Sequence, residues 1–316
     1  MPRRFWYTES NAKEKGLTPM LEISREHIVC SLSAAHAPAA RCQSGETVLF
    51  HTRDCYNDEI RDEGNTLPVR EYANPATGPL FVEGAEPGDI LKVEILKIET
   101  DVTGVMRTAP GHGAYQHLVT ERVAKIFPIE KGEILFDERL RIPADTMIGV
   151  IGTAPANGED ISTETPREHG GNMDCRLIVE GTTLYLPVNA PGALLAMGDL
   201  HAAMGDGETL ICGMECRGRV TVRVTAVKGS CLPTPCLDFG SGICTIQSAE
   251  TLDEASILAS RAMHKYLMDC GLSAEKAGMI LSLQGHLVIC QIVDPLLTVR
   301  MELPRYILDA YGIRLP

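Results

Sequence analysis

The tract G-D-L-H-A-A-M-G-D-G-E, Gly198 to Glu208, sets Asp199, His201, Asp206 and Glu208 within eleven residues, with glycine at three of the positions. Glycine admits backbone turns that a Cβ would block, so short acidic and imidazole side chains can be turned into one space. A second tract of the same character, E-H-G-G-N-M-D from Glu168 to Asp174, follows Pro166 and carries His169, Gly170, Gly171, Asn172 and Asp174. Mixed imidazole and carboxylate donors suit a divalent cation, and a cation so held can lower the pKa of bound water to about 7 and supply a hydroxide nucleophile. The candidate ligands are His169, Asp174, Asp199 and His201, joined by Asp54 from the segment R-D-C-Y-N-D. The spacing Asp199-x-His201 puts both side chains on one face if the segment is extended. Two histidines favour zinc first, and a site dominated by aspartate would favour calcium, the second choice.

Hydrolysis of an unactivated bond also needs a base and a group that stabilises the oxyanion. Glu208 can be the base if burial raises its pKa, and the Gly170 and Gly171 amides or the Asn172 side chain can stabilise the charge. Cysteine is the rival nucleophile, since Cys55 and Cys175 adjoin the acidic tracts. Asp54 and Asp174 beside them oppose a low thiol pKa, which ranks that chemistry second. Each residue also has a structural reading. Asp206-Gly207 and Asp89 suit turns, Asp174 can accept backbone hydrogen bonds, and His169 can be a buried hydrogen-bonded histidine. Asp58, His51 and His112 are as readily structural as functional. No G-x-S-x-G, P-loop or dinucleotide fingerprint occurs.

The elements that must position these groups read as antiparallel β structure. Between the two tracts lies an apolar strand, Leu184 to Val188, closed by Pro191-Gly192, and a curled sheet could fold the tracts at its two ends to one cleft. Upstream, His27 to Cys30, Glu46 to Phe50 and Asp89 to Ile98 are candidate strands. The last is started by the turn Glu86-Pro-Gly-Asp89 and slips phase at Leu96, which predicts a bulge. From 101 to 146 the pattern weakens, with a flexible connection at Pro110-Gly-His-Gly113. Met147 to Thr153 reads as a strand, Ala154 to Thr165 as a loop. Val220, Val222 and Val224 then alternate with Arg219, Thr221 and Arg223, a strand with one wet face. Helices come late. Thr251-x-x-Glu254 is a capping box, and Leu252, Ala255, Leu258, Ala262 and Tyr266 form a stripe ending at Gly271. Ser273 opens a second short helix, and Val288 to Val293 returns to strand. The expectation is one domain over 1–316, a mainly β sandwich with a small α/β appendage near the C-terminus and a helical insertion at about 249–286.

A formal charge of −13 argues against a nucleic-acid surface and is compatible with small neutral or cationic substrates. No apolar stretch reaches the roughly 20 residues of a membrane span, and Met1-Pro-Arg-Arg leads into polar sequence, so a cytoplasmic protein with no membrane partner is expected. The eleven cysteines are odd in number and mostly in apolar surroundings, which reads as reduced core thiols. No C-x-x-C is present, and Cys212 with Cys216 fits same-face positions on one strand better than a zinc knuckle.

These motifs resemble the acetamidase/formamidase family. The matching segments are T-R-D-C-Y-N-D-E-I at 52–60, G-P-L-F-V-E-G-A-E-P-G-D at 78–89, H-G-G-N-M-D at 169–174, M-G-D-L-H-A-A-M-G-D-G-E at 197–208 and V-D-P-L-L-T-V-R-M-E-L-P at 293–304. The resemblance implies a jelly-roll-like sandwich that hydrolyses a small amide to carboxylate and ammonia. The family's polar motifs fall on Asp54, His169, Gly170, Gly171, Asn172, Asp174, Asp199, His201, Asp206 and Glu208. Glu168 stands where many members carry proline, adding a carboxylate expected at the rim. Family enzymes with open sandwiches usually cover edge strands with another subunit, so a homodimer is expected. The leading reading is thus a hydrolase cleaving the C–N bond of a formamide- or acetamide-like compound or a lactam. Its rival is a non-catalytic small-molecule-binding β-sandwich.

Overall fold

A computed structural model describes residues 20–64 and 74–316. The Met1-Pro-Arg-Arg start lies outside the described residues. Two large sheets dominate. One has nine strands in the order Leu21–Ile23, Thr47–Thr52, Gly218–Val227, Ile90–Thr100, Thr183–Pro187, Cys236–Asp238, Gly242–Ala249, Leu297–Pro304 and His286–Gln291. The other has eleven. Its main path runs from Arg141–Pro143 through Glu133–Leu135, Ala124–Glu130, Thr103–Arg107, Glu215–Cys216, Leu195–His201 and Met147–Gly152 to Gly170–Asn172, with Ala76–Glu83 flanking Leu195–His201.

The strand Gly218–Val227 shows how alternation makes the sandwich. Val220, Val222 and Val224 are buried, while Arg219 and Arg223 face water and meet Glu99 and Glu94 of the neighbouring strand. The valines join Val48, Phe50, Leu91, Val93 and Ile95 from their own sheet and Leu80, Ile148, Leu195 and Met197 from the other in one core, so the sheets pack face to face. The bulge falls where the phase slip predicts it: Val222 faces Ile95 and Thr221 faces Lys97, leaving Leu96 unopposed. The turn before that strand is as expected, with Asp89 N donating to Glu86 O at 3.0 Å and Gly88 at φ +95°.

A second core lies at the helical end. The helix α1, Leu252–Asp269, is capped by Thr251, whose hydroxyl accepts from Glu254 N at 3.2 Å; α2, Ala274–Gln284, is capped by Ser273. These two and α3, Arg305–Ala310, bury Ala255, Ala259, Met263, Leu267, Leu281 and Leu308 against Ile243, Val299, Met301 and Leu303. The buried stripe of α1 is therefore Ala255, Ala259, Met263 and Tyr266–Leu267 rather than one through Leu258 and Ala262. Leu258 faces solvent, because the sheet lies on the side that the small residues Ala255 and Ala259 let approach closely.

Four local expectations change. Residues 101–146 hold four strands, Thr103–Arg107, Ala124–Glu130, Glu133–Leu135 and Arg141–Pro143, whose short lengths left no readable period. The H-G-G-N tract is a strand, Gly170–Asn172, and not a loop. The final edge strand begins at His286, two residues earlier than expected. Cys216 is on the two-residue strand Glu215–Cys216 and Cys212 lies outside it. Among the described residues all eleven cysteines are free and no helix is long and apolar enough to cross a membrane.

Candidate active site

The site is built where Met147–Gly152 and Leu195–His201 run antiparallel. Every residue of both strands is buried, because the sandwich core covers one face and Leu32 and Ala76 help cover Val150 and Ala196 on the other. Polar groups on these strands are therefore withdrawn from water. The pairs Ile148–Leu200 and Val150–Gly198 place Gly149 beside Asp199. A Cβ on Gly149 would lie 2.5 Å from Asp174 Oδ1 and 2.9 Å from Asp199 Oδ2, so the glycine makes room for two carboxylates above the strand. Gly213 does the same for His201, whose Nδ1 would be 2.5 Å from its Cβ.

Backbone strain aims the acids. Asp174 has φ 41°, Asp199 54°, Glu208 45° and Asn74 45°, a region that non-glycine residues seldom occupy and that concentrates at functional sites. The turn in mid-strand at Asp199 replaces the simple same-face geometry expected for Asp199-x-His201. His201 Nε2 faces Glu215 Oε1 at 3.1 Å, Asp199 Oδ1 at 3.5 Å and Asp174 Oδ1 at 3.8 Å. Asn74 Nδ2 donates to Asp199 Oδ2 at 3.0 Å, and Asn172 Nδ2 to Asp294 Oδ2 at 3.1 Å. Glu208 arrives on a turn held by a buried cation: Arg300 donates to both oxygens of Asp206, at 2.6 and 3.2 Å. Asp206 is thus the anchor of that turn.

These groups surround a cavity of about 310 Å³ lined by Asn74, Asn172, Asp199, Glu208, Glu215 and Asp294, with Cys55, Tyr56, Arg107 and Ile211 among its other walls. Burial, then the charge of Asp174, pushes the Glu208 carboxyl well above the usual range; burial does the same to Glu215 and Asp294. Asp174 is raised by burial to about 6. For His201 burial works the other way, but the charge of Glu215 and its contacts with Asp199 and Glu215 prevail, and its pKa is raised well above the ordinary value. Crowded carboxyls round one imidazole are what a cation would relieve.

Of the five expected ligands, Asp174, Asp199 and His201 come together. Ligand atoms of Asp174, His201 and Glu208 lie within 4.8 Å of one another, as do those of Cys55, Asp199 and Glu215. Asp54 and His169 belong to neither group. Asp54 Oδ1 accepts from Tyr56 N at 2.9 Å and Asp58 N at 2.8 Å, closing its own turn, and burial raises its pKa to about 6. His169 is fully buried without a partner for either ring nitrogen, so it also departs from the hydrogen-bonded alternative; burial lowers its pKa to about 4. The Gly170 amide donates to Arg167 O at 3.0 Å, and a Cβ on Gly171 would lie 2.6 Å from Thr165 O, so both glycines have packing reasons. Glu168 is exposed and off the cavity, whose rim carboxylate is Glu164. Burial, then Glu215, Asp199 and Asp54, pushes the Cys55 thiol well above its ordinary pKa, which works against a thiolate nucleophile. The Cys175 thiol departs from the expectation, held well below its ordinary value by Cys244 and Cys290 against burial, but it lies in the core and does not line the cavity.

Sequence reasoning missed Glu215, Asp294, Asn74, Arg107 and Gly149. Glu215 had a signal, a lone glutamate between Met214 and Cys216 in an apolar run, and it is the cross-strand partner of His201. Asp294 lay in the quoted V-D-P motif.

Fold and site define a β-sandwich protein with a buried carboxylate–imidazole centre. The model of the Acetamidase/Formamidase family matches residues 34–159 and 104–310, and the chain belongs to that family. It is 47% identical to an acetamidase of Bacillus halodurans, with a TM-score of 0.91 over 93% of this chain and 100% of that one. A predicted acetamidase/formamidase of Thermoanaerobacter tengcongensis is 41% identical, with a TM-score of 0.91 over 94% and 99%. The formamidase of Methylophilus methylotrophus is 28% identical over 249 residues, 60% of this chain and 61% of that protein. The match spans less than two thirds of each of the curated relatives, 61% to 64% of their lengths.

Proposed function

We propose that the chain is an amidohydrolase cleaving the C–N bond of a small amide, formamide- or acetamide-like or a lactam, to a carboxylate and ammonia or an amine. The observation that carries this reading is the ring of carboxyls round His201 beside a cavity, in a member of the acetamidase/formamidase family. A divalent cation fits the donor set. Both oxygens of Asp174, Asp199 Oδ1, Glu208 Oε2 and Glu215 Oε2 are buried without a hydrogen-bond partner, and the single imidazole of His201 compensates only part of so many buried carboxyls. Asp174, Asp199 and His201 would hold it, with Glu215 across the strand pair. One imidazole keeps zinc first, and with His169 outside the set the excess of oxygen donors brings calcium closer. When bound, such a cation supplies Lewis acidity, which acidifies water and offsets charge developing on the amide oxygen.

The chain's own groups do the rest. Glu208, with Oε2 free and proton affinity raised by burial, takes a proton from the attacking water and returns it to the leaving nitrogen. Asn172 has one N–H committed to Asp294, which fixes the amide plane and leaves its second N–H to bind the carbonyl oxygen. Arg107, buried with Nε unpartnered on the same cavity wall, offers positive charge to the developing oxyanion and to the carboxylate product. The same reading includes a cytoplasmic homodimer covering the outer strands Leu21–Ile23 and His286–Gln291, the latter exposing Leu287 and Ile289. A monomer mass in light scattering at micromolar concentration rejects the dimer.

Ammonia release from formamide, acetamide and short amides, and ring opening of lactams, test the activity, with elemental analysis of protein purified without chelator or polyhistidine tag. Turnover with stoichiometric metal is expected. No turnover of any compound with zinc or calcium supplied would leave the non-catalytic binder as the better reading.

A further inference from the structure

A second cleft, of about 610 Å³, lies against the first. Its walls include Met106, Ile134, Phe136, Ile142, Leu210 and Met214, so it is mainly apolar, unlike the carboxylate cavity. Glu208 and Cys212 line both spaces. The partition is the irregular segment 202–214, on which Glu208 sits at φ 45° and Ile211 at φ 149°. The segment is pinned at Asp206 by Arg300 and at Thr209, whose carbonyl accepts from Ala114 N at 2.8 Å. It therefore separates a polar chamber from an apolar one at a single carboxylate.

We propose that the apolar cleft is the subsite for the hydrocarbon substituent of the amide, so that the substrates are aliphatic or aryl-substituted amides longer than acetamide. This rests on the amidase reading and extends it. Three observations support it. The cleft and the carboxylate cavity share Glu208 in their walls, so a substituent lodged in the cleft lies beside the proposed base. Its lining of methionine, isoleucine, leucine and phenylalanine offers no donor array for a polar occupant; the charged groups Asp145, Arg176 and Asp206 are at one side and pair among themselves, Arg176 lying 3.4 Å from Asp145 and 3.8 Å from Asp206. A formamide-sized substrate would leave this apolar surface wet, whereas a chain of several carbons would cover it.

The test is a series of unbranched primary amides from formamide to hexanamide, with kcat/KM from ammonia release and binding by calorimetry, on the full chain with its metal content measured. From acetamide to pentanamide, kcat/KM should rise roughly three- to fourfold per methylene, the value of removing one methylene from water. Ile142 is on the short strand Arg141–Pro143 and does not line the carboxylate cavity. Ile142→Trp should flatten the series while acetamide turnover stays within about twofold, and Ile142→Ala should move the optimum to a longer chain, so that either variant serves if the other does not fold. A flat series in the unaltered protein with acetamide turned over, or an Ile142→Trp series unchanged from it, overturns the proposal. If no amide is hydrolysed, the binding series still decides: affinity rising with chain length and lost in Ile142→Trp keeps the cleft and sinks the amidase reading, and flat affinity sinks the cleft.

Discussion

The helical layer at the C-terminal end and the wall of the cavity obey opposite rules. In the helical layer local and global preferences agree: Thr251 and Ser273 cap, acidic residues sit in the first turns, and small residues face the sheet. At the carboxylate–imidazole site four polar residues hold positive φ, ten buried polar atoms lack partners across the described residues, most of them at this site, and carboxyls crowd one another. Such an arrangement lowers stability and persists only where the surroundings fix it. The contrast teaches that the two regions should answer mutation differently. Changes in the wall should strike activity more than stability, and changes in the helical layer should do the reverse.

The largest effect is expected at His201 and Glu208. His201→Ala should lose both metal and turnover. Glu208→Gln should keep fold and metal while kcat falls roughly 10²- to 10⁴-fold, the range for a lost general base. Metal content and kcat measured together separate the roles. If Glu208→Gln sheds metal as well, Glu208 is a ligand, and the proton must pass to Glu215 or Asp294.

Gly149→Ala should come next. The added Cβ meets the Asp174 carboxylate at 2.5 Å, so the acids must shift, and overpacking of this kind costs about 1–3 kcal/mol. Turnover should fall by far more than that loss of stability would imply at a temperature where the variant is folded. A variant with lowered Tm but unchanged kcat would break the contrast, because the wall would then tolerate displacement of its acids.

Much of this was readable in advance and part was not. The valine alternation, the bulge at Leu96 and the Thr251 cap follow from local rules acting on adjacent residues. Asp174, Asp199 and His201 were legible because two glycine-bent tracts carried them. Glu215 and Asp294 were not, since they reach the site through strand pairing and through a segment almost a hundred residues beyond His201. His169 stands on the turn just before the strand Gly170–Asn172 and outside the cluster, a placement that spacing alone does not give. Arg300 and Asp206 meet only in the fold, so the sequence showed Asp206 as a turn residue without the cation that anchors it.

A smaller effect should appear in pH. Asp54 and Asp174 have folded pKa values of about 6 from burial, above the unfolded value of about 4. Raised carboxyls make the fold most stable below the unfolded value, and that contribution is lost as pH rises through the folded one. Metal-depleted protein should therefore lose Tm between about pH 4 and pH 7. Asp89 and Asp101, lowered against burial by hydrogen bonds from the backbone and from Lys228 and Arg217, act in the other direction but below that window. His169, lowered to about 4 by burial, opposes the trend inside the window as one group against several raised carboxyls. Restoring the cation should flatten the curve, since it compensates the charges. A Tm that climbs from pH 5 to pH 7 without metal would contradict the crowding.

The smallest effect tests the other half of the contrast. Thr251 accepts from Glu254 N at the start of α1, and α1 packs on the sheet through Ala255, Ala259 and Met263, remote in the fold from the residues lining the cavity. Replacing an N-cap threonine with alanine leaves a backbone donor without its side-chain partner and typically costs about 1 kcal/mol. Because the helix end is exposed, water takes over part of that bond, and the loss should stay near that figure. Thr251→Ala should therefore lower stability in a urea titration by about 1 kcal/mol with an unchanged slope, and leave kcat and KM within twofold. The informative failure is a kinetic one. If Thr251→Ala moved kcat by tenfold while the protein remained folded, the helical layer would be coupled to the strained wall through the strands Gly242–Ala249 and Leu297–Pro304, the second of which carries Arg300 and so the anchor of the Glu208 turn.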